Sequence, residues 1–448
     1  MDKRSKITVL GAGLSGLAAA YELAGNGQDV TVIEKNNAVG GLARSIKKDG
    51  FTFDLGGHRL LINDKEILET IKGLLGEELL TIKRKSRIFL NNKFIHYPLK
   101  FPSALFSLGA GAAAKIVASY AGSVLKKKNS KKEPSFEEWI IRNFGEELYK
   151  IYFKPYTEKV WGIPCQELSS DWATQRINFL NLFDIIKKTI SRSKDKPRTY
   201  ASTFYYPKGG IGSIAEKLAE KIKNGGEIHL GFEAQEIVCD KNKVLSVLAK
   251  NNEKEIDVES AKFISTMPLT ELVKIISPKA PDEVLQAADS LKYRSIICIF
   301  LTIDRQKITD DHWLYFPDKN LVFSRIHEPK NWSFSLAERG KTSLCLEIFC
   351  NKEDEIWNSK DSDLTRSAID QLEQLRLIDK NTVISSAAKR VSFAYPIFRL
   401  GYKEHLNKIK KYLAQFSNLH LIGRTGTFKY INMDHVIKEG LLKAKEIM

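Results

Sequence analysis

Three glycine clusters follow one another between residues 6 and 58, and their order constrains the fold more than any other feature of the chain. They are Gly11-x-Gly13-x-x-Gly16, Gly40-Gly41 and Gly56-Gly57. The first cluster follows an apolar run at 7–10 and leads into a helical pattern. In such a motif the first glycine allows a tight turn, the second admits a pyrophosphate, and the third lets the helix pack on the strand. The motif therefore predicts a dinucleotide-binding turn with phosphates at a helix N-terminus.

A second apolar run at 30–33 ends in Glu34. An acidic residue at about this distance from the fingerprint accepts hydrogen bonds from a ribose hydroxyl. Strand, glycine turn, helix, strand and acid together predict a Rossmann-like domain, with Glu34 as a cofactor ligand.

Composition limits the classes of partner and the compartment. The net charge of +16 over 448 residues indicates an anionic partner. The basic residues are spread along the chain without a nucleic-acid-binding module, so nucleic acid is not expected. The five cysteines form no CxxC pair, which argues against a disulfide framework or a zinc site. We expect no metal and a cytoplasmic location.

The most apolar later stretch, at 101–125, contains Pro102 and Lys115 and makes a poor transmembrane span. It leads into a basic run at 126–132. Two interpretations stay open: peripheral contact with the anionic inner membrane face, or a buried amphipathic helix followed by a solvated basic loop.

The remaining pattern predicts an α/β chain whose dinucleotide-binding domain is discontinuous. Runs at 228–230, 244–248 and 263–266 are predicted to return to its sheet, and runs at 296–303, 313–316, 343–349 and 383–393 to form an antiparallel substrate sheet. Helices are expected at 136–148, 172–190 and 433–447. The predicted domains are 1–75, 205–270 and 415–448 for the cofactor, 100–204 as a mainly helical substrate-binding insertion, and 76–99 with 271–414 as the antiparallel-sheet substrate domain.

The second and third glycine clusters, with His58 directly after the third, resemble the FAD-binding pattern of the superfamily that includes amine oxidases, protoporphyrinogen oxidases and UDP-galactopyranose mutases. This resemblance implies FAD as cofactor. The cofactor-binding residues that it implies are Gly11, Gly13, Gly16, Glu34, Gly41, Arg44, Gly57, His58, Arg424 and Asp434.

Within that superfamily, segments at 154–164, 172–176, 312–317, 323–325, 394–396 and 423–435 resemble the mutases, and more closely their longer, eukaryote-type form. The resemblance implies substrate-binding roles for Tyr97, Lys100, Tyr156, Trp161, Arg176, Trp313 and Arg325. It implies catalytic roles for His58, Arg176, Arg325, Tyr315, Tyr395 and Tyr430.

The chemistry of these residue types suits a nucleotide-diphosphate sugar. Guanidinium forks such as Arg176 and Arg325 bind a diphosphate bidentately, and phenolic hydroxyls orient it. His58 is expected beside the flavin, where its titration near neutral pH would tune the ring. The helix starting near Asp434 would direct its dipole at the reduced ring. The implied reaction uses the N5 atom of reduced flavin as nucleophile, without net oxidation, and serves cell-surface polysaccharide synthesis, with NADPH or NADH as reductant.

Two observations leave the function open: one residue that departs from the mutase pattern, and a second class of enzymes with the same FAD-binding pattern. Lys100 stands where the mutases carry an amide side chain near the nucleobase, which puts uridine and galactose in doubt. The rival is an FAD-dependent oxidoreductase of the protoporphyrinogen oxidase, amine oxidase or desaturase type, acting on an apolar substrate. The sequence does not predict an oligomeric state.

Overall fold

A computed structural model of the chain describes residues 6–90, 92–97, 110–125, 133–177 and 202–448. For residues 175–177 the description is limited to the backbone.

The strands of the described residues are numbered in chain order. They are β1 (Ile7–Leu10), β2 (Val30–Glu34), β3 (Ser45–Lys48), β4 (Phe51–Asp54), β5 (Leu79–Lys83), β6 (Ser86–Leu90), β7 (Lys93–His96), β8 (Thr203–Pro207), β9 (Gly226–Leu230), β10 (Glu233–Asp240), β11 (Lys243–Lys250), β12 (Glu255–Glu259), β13 (Lys262–Ser265), β14 (Ile276–Ser277), β15 (Tyr293–Ile303), β16 (Trp313–Tyr315), β17 (Arg325–His327), β18 (Thr342–Cys350), β19 (Val383–Pro396) and β20 (Leu419–Leu421).

The α-helices of the same residues are α1 (Leu14–Gly25), α2 (Lys65–Leu75), α3 (Ala110–Leu125), α4 (Phe136–Phe144), α5 (Glu146–Leu148), α6 (Lys154–Trp161), α7 (Asp171–Ile177), α8 (Ser213–Ile222), α9 (Leu269–Leu272), α10 (Asp282–Ser290), α11 (Glu355–Asn358), α12 (Asp361–Gln374), α13 (Tyr402–Leu413), α14 (Gly423–Gly426) and α15 (Met433–Ile447). A π-helical turn, Tyr149–Phe153, leads into α6. None of the helices in the described ranges is long and apolar enough to cross a membrane.

The sheet that contains β1 and β2 is parallel and has five strands in the order β20-β13-β1-β2-β9. All residues of β1 and β2 are buried, as expected for parallel strands covered on both faces. The strands come from distant parts of the sequence, which confirms the predicted discontinuous α/β fold. The carboxyl ends of parallel strands gather at one edge; here Gly11 and Thr266 directly follow β1 and β13, Glu34 ends β2, and Arg424 lies in α14 after β20.

The largest sheet of the described residues, which was predicted to bind the substrate, has seven strands in the order β19-β15-β18-β17-β16-β6-β7. It contains all four of the runs predicted for it, between 296 and 393. Neighbours are antiparallel except β6 and β16, which pair in parallel. Its strands β15 and β18 are almost entirely buried. The exact domain boundaries stay a prediction.

The prediction for 244–248 is wrong. While β9 and β13 join the parallel sheet, β11 belongs to a separate sheet in the order β12-β11-β10-β14. Only two residues, Lys241 and Asn242, connect β10 to β11, and a connection that short requires antiparallel pairing.

The helix predicted at 136–148 is interrupted. Ser135 and Glu138 form a capping box at the start of α4. The helix ends at Gly145, which has a φ of +85° and lies against the backbone of Tyr120. The helix predicted at 172–190 is observed as α7 up to residue 177, and its remainder lies outside the described residues. The predicted helix at 433–447 is confirmed as α15.

Candidate active site

The fingerprint loop links β1 to α1 and packs tightly at two of its three glycines. A Cβ atom on Gly11 would lie 2.2 Å from Oγ1 of Thr266, and one on Gly16 would lie 2.1 Å from the carbonyl oxygen of Gly11. On Gly13 it would meet no protein atom within 4 Å, and φ is an ordinary −72°. The protein itself therefore does not require glycine at position 13. The open space lies at the N-terminus of α1, where a phosphate is favoured.

Glu34 holds this loop at the end of β2. Its Oε2 atom accepts a hydrogen bond of 2.8 Å from the backbone N–H of Ala12, and its Oε1 atom accepts one of 2.9 Å from Asn36 N–H. A carboxylate has about four acceptor positions, so a ribose hydroxyl can bind in addition. That role of Glu34 stays a prediction.

The second glycine cluster lies directly on the first. Gly40 N–H donates to the carbonyl oxygen of Ala12 at 2.8 Å. A Cβ atom on Gly41 would lie 3.2 Å from Cα of Gly13. The carbonyl of Arg44 accepts a bond from Leu55 N–H at 3.2 Å, which links this segment to the third cluster.

The third glycine cluster, Gly56-Gly57, packs against the seven-stranded sheet. Gly57 N–H donates to Oε1 of Glu347 at 3.0 Å. A Cβ atom on Gly57 would lie 2.7 Å from Cζ2 of Trp313. The loop before His58 therefore lies flat against β16 and β18.

His58 does not titrate near neutral pH, so that expectation is wrong. Burial lowers its pKa to about 4, and the positive charges of Arg424 and Arg325 act in the same direction. The Nδ1 atom lies 3.0 Å from the carbonyl oxygen of Gly56, which requires Nδ1 to be the protonated nitrogen. A neutral imidazole with Nε2 as acceptor follows.

Arg325 is held in one orientation by two partners, the partly buried Tyr156 and the buried Glu347. Its Nε donates to the hydroxyl of Tyr156 at 2.9 Å, and its Nη1 donates to Oε2 of Glu347 at 3.2 Å. Its guanidinium carbon lies 4.6 Å from the ring centre of Phe349 and 5.4 Å from that of Trp313. Within the described part of the chain, Nη2 has no hydrogen-bond partner. Arg325 thus has a pair of donors left for a ligand.

Glu347 was missed by the sequence analysis. It is 1% exposed, and burial raises its pKa although Arg325 and the Gly57 N–H oppose the shift. The sequence did contain a signal, because Glu347 is the lone charged residue of the buried strand β18. A buried carboxylate is tolerated when it is paired, so such a residue indicates a functional contact.

Aromatic residues form one wall around Arg325. The ring of Tyr315 lies 5.6 Å from that of Trp313, 4.6 Å from that of Tyr97 and 5.9 Å from that of Tyr156. The structure therefore brings together Tyr97, directly after β7, Tyr156 of α6 and Trp313 of β16, which the sequence analysis assigned to substrate binding, and Tyr315, which it assigned to catalysis.

A second aromatic group lies beyond Phe349. Tyr395 and Tyr430 stack with ring centres 5.7 Å apart, and Trp161 approaches them at 6.1 Å and 6.3 Å. Arg424 lies over both tyrosines, at 5.4 Å and 5.2 Å. Phe349, whose ring centre is 5.8 Å from that of Tyr395, joins this group to Arg325.

The side chain of Arg424 is held by hydrogen bonds to a backbone carbonyl, and it forms no salt bridge within the described residues. Its Nε and Nη2 donate to the carbonyl oxygen of Ile431 at 3.1 Å and 2.7 Å. Asp434, 2% exposed, lies in the first turn of α15, which begins at Met433 as predicted. Whether Arg424 and this helix face a flavin ring stays a prediction.

Two predicted residues cannot be placed. Arg176 belongs to α7, but its side chain lies outside the described part of the structure. Lys100 lies in an undescribed segment. Their assigned roles stay predictions.

Three glycine turns that contact one another in sequence order, beside an aromatic wall that holds the buried Arg325, suit a flavoprotein with a two-part architecture. The space at Gly13 and the backbone lying flat at Gly57 fit an FAD-type cofactor. The chain belongs to the flavin-containing amine oxidoreductase family, whose sequence profile matches residues 14–448. Membership implies an FAD-type flavin.

Solved structures of this architecture cover almost the whole chain. Reduced UDP-galactopyranose mutase superimposes with a TM-score of 0.85 at 25% identity, over 99% of this chain and 95% of the mutase. A putative protoporphyrinogen oxidase from Exiguobacterium sp. 255-15 gives a TM-score of 0.77 at 16% identity, over 99% and 98%. The second similarity concerns the fold alone.

A local similarity concerns a different reaction. A 4,4'-diapophytoene desaturase (4,4'-diaponeurosporene-forming) of Staphylococcus aureus (strain COL) is 54% identical over 59 residues. The match covers 13% of this chain and 12% of the desaturase. The family is therefore established, while a mutase and, over a short segment, a desaturase both resemble the chain.

Proposed function

We propose that this protein is an FAD-dependent mutase that interconverts the pyranose and furanose forms of a nucleotide-diphosphate sugar, similar to UDP-galactose, for cell-surface polysaccharide synthesis. The observation that carries the proposal is the alignment of Arg325. Tyr156 and Glu347 hold its guanidinium at 2.9 Å and 3.2 Å, and its Nη2 has no partner among the described residues. A guanidinium oriented in advance is suited to bind a diphosphate that leaves and returns.

The charge balance of the site supports an anionic ligand. Arg325 faces Glu347, but Arg424 has no carboxylate within salt-bridge distance in the described ranges. Among these three groups, two guanidiniums against one carboxylate leave an excess of positive charge beside the aromatic rings, and Arg59 and Arg84 lie over the rings of Trp313 and Tyr97. Arg176, from α7, is proposed as a further guanidinium on the same diphosphate.

The tyrosines contribute neutral donors. Burial raises the pKa of Tyr156 and Tyr395 above the ordinary tyrosine value, so both hydroxyls stay protonated. The Tyr156 hydroxyl accepts from Arg325 and can donate its own proton to a phosphate oxygen. Tyr315 stacks on Trp313 and Tyr430 stacks on Tyr395. Both tyrosines are proposed to orient the substrate.

Neutral His58 is suited to accept a hydrogen bond at Nε2 rather than to supply positive charge. When bound, reduced FAD would supply the nucleophile for the anomeric carbon, and NADPH or NADH is proposed to reduce it. The protein's own residues hold the leaving diphosphate, and the rings of Trp161 and Trp313 limit access of water.

The test is turnover of UDP-galactose by the purified flavin-loaded protein, with products separated by chromatography. We expect conversion with dithionite-reduced flavin and none with oxidised flavin. Arg325→Lys keeps the charge beside Glu347 but loses the fork, so KM should rise by about tenfold or more while flavin content is unchanged. Arg390→Lys, at a surface arginine that also binds backbone carbonyls, is the matched control. No conversion, or conversion tied to oxygen consumption, contradicts the proposal.

The second candidate is an FAD-dependent oxidoreductase of an apolar substrate, favoured by the local 54% identity to a desaturase. Such a reaction does not need Arg325 to face an anion. Stoichiometric flavin reduction by a hydrophobic polyene or a tetrapyrrole, unaffected by Arg325→Lys, would support it.

A further inference from the structure

We propose that Arg294 and Lys159 are positioning residues that align helix α6 with the substrate pocket. We call this pair the α6 latch. The inference rests on the proposed function, because it assumes that Arg325 and Tyr156 bind the diphosphate of the substrate. Neither Arg294 nor Lys159 has a described contact with an aromatic ring of the pocket; both bind backbone carbonyls, among them that of Phe349.

Arg294 binds the end of α6 from inside the seven-stranded sheet. It lies on β15 and is 4% exposed. Its Nε donates to the carbonyl oxygen of Val160 at 2.8 Å, and its Nη2 donates to that of Lys159 at 3.3 Å. Carbonyls in the last turn of a helix have no intrahelical partner, and a cation there is favoured by the helix dipole. One guanidinium therefore satisfies two buried carbonyls of α6.

The same guanidinium reaches the pocket wall. Its Nη2 also donates to the carbonyl oxygen of Phe349 at 3.0 Å, and Nη1 lies 3.5 Å from Oδ2 of Asp354. Phe349 is the residue whose ring contacts both Arg325 and Tyr395. Arg294 thus joins the end of α6 to the end of β18 beside the pocket.

Lys159 makes the corresponding connection on the other side of α6. Its Nζ donates to the carbonyl oxygens of Phe316, Asp318 and Phe323, at 3.0 Å, 2.5 Å and 2.6 Å. Burial lowers the pKa of Lys159 to about 7; in its ammonium form the side chain has three donors, one for each of these carbonyls. These carbonyls belong to the connection between β16 and β17, the strands that carry Tyr315 and Arg325.

The residue after α6 completes the latch. Gly162 ends the helix with a φ of +68°. A Cβ atom on it would lie 2.5 Å from Cζ of Arg294. The glycine therefore provides both the left-handed turn and the space that the guanidinium fills.

The latch matters because α6 contributes to both aromatic groups. Its Tyr156 accepts the bond from Arg325 Nε, and its Trp161 contacts Tyr395 and Tyr430. A displacement of about 1 Å is enough to weaken a binding geometry of this kind. A shift of α6 would therefore loosen Arg325 and the tyrosine stack together.

The test measures binding of UDP to the purified flavin-loaded protein by calorimetry, in wild type, Arg294→Met, Tyr156→Phe and the double variant. We expect Arg294→Met to weaken UDP binding by about tenfold. In the Tyr156→Phe background the same substitution should weaken it by less than in wild type, because the part of the loss that passes through the Tyr156–Arg325 bond is already absent and only the part that passes through Trp161 remains. Arg390→Met, which removes carbonyl contacts to Trp357 and Ser359, is the control and should leave the affinity unchanged.

Equal losses in both backgrounds, or an unchanged affinity in folded Arg294→Met, would overturn the latch. If Arg294→Met does not fold, Gly162→Ala displaces the guanidinium without removing it and should give the same pattern. If wild type does not bind UDP, the proposed function fails separately. In that case, amide hydrogen exchange of residues 154–162 tests the latch on its own. Faster exchange in Lys159→Met than in Arg390→Met supports the latch, and equal rates reject it.

Discussion

The guanidinium of Arg325 lies 3.2 Å from the carboxylate of Glu347, and the other oxygen of that carboxylate accepts the N–H of Gly57 at 3.0 Å. One buried acid therefore links the substrate wall to the loop predicted to lie against the flavin. A substitution of Glu347 should therefore affect both the position of Arg325 and the loop at Gly57.

Glu347→Gln should lower the free energy of unfolding by about 3 kcal/mol, because Arg325 is left as an uncompensated buried charge. Urea titration measures this loss. Glu328→Gln is the comparison, since Glu328 is a buried carboxylate bonded to Thr342 and backbone N–H groups of 308 and 309, and its loss should be smaller. Adding Arg325→Met to Glu347→Gln should recover part of the stability. A single variant as stable as wild type would show that the pair is not coupled.

Gly13→Ala should lose FAD while keeping the fold. The new methyl group would meet no protein atom within 4 Å, so only a ligand can be displaced. FAD affinity, followed by flavin fluorescence, should fall by about tenfold or more. Gly25→Ala, at the end of α1, also meets no protein atom and should bind FAD normally. Equal affinities in the two variants would place the pyrophosphate elsewhere.

Asp54→Asn should change how stability depends on pH. Burial raises the pKa of Asp54 to about 6 from 3.8, against hydrogen bonds from Ser45, Tyr206 and the Ile211 N–H. A raised carboxyl pKa contributes stability below about pH 3.8 that is lost as pH rises through 6. Wild type should therefore lose about 2 kcal/mol relative to Asp54→Asn between pH 4 and pH 7. Denaturant titrations that show a constant difference across this range would refute the assignment.

His58 should stay neutral down to about pH 5. Its lowered pKa of about 4 means that its contribution to stability is present above pH 6.5 and is lost as pH falls through 4. Nitrogen NMR of the imidazole, assigned by comparison with His58→Gln, should show a protonated Nδ1 at pH 7. A titration midpoint above 6 would contradict the buried environment.

The sequence by itself determined the features that depend on neighbouring residues. The turn at Gly11 and Gly16, the acid at the end of β2 and the helix from Met433 are set by patterns within one or two elements. Such patterns reflect backbone geometry and local hydrophobic period, which are readable along the chain. The motifs that contain Tyr156, Tyr315 and Arg325 were located by their resemblance to the mutases.

Only the tertiary structure decided how those motifs are joined. Glu347 reaches Arg325 and Gly57, and Arg294 reaches the end of α6, across sequence separations that no local pattern encodes. The pairing of β11 and the low pKa of His58 have the same origin, because strand partners and local dielectric depend on what packs against a residue. Contacts between distant segments, and the burial that they create, turned a set of matching motifs into a buried arginine held by Tyr156 and Glu347 beside the aromatic rings.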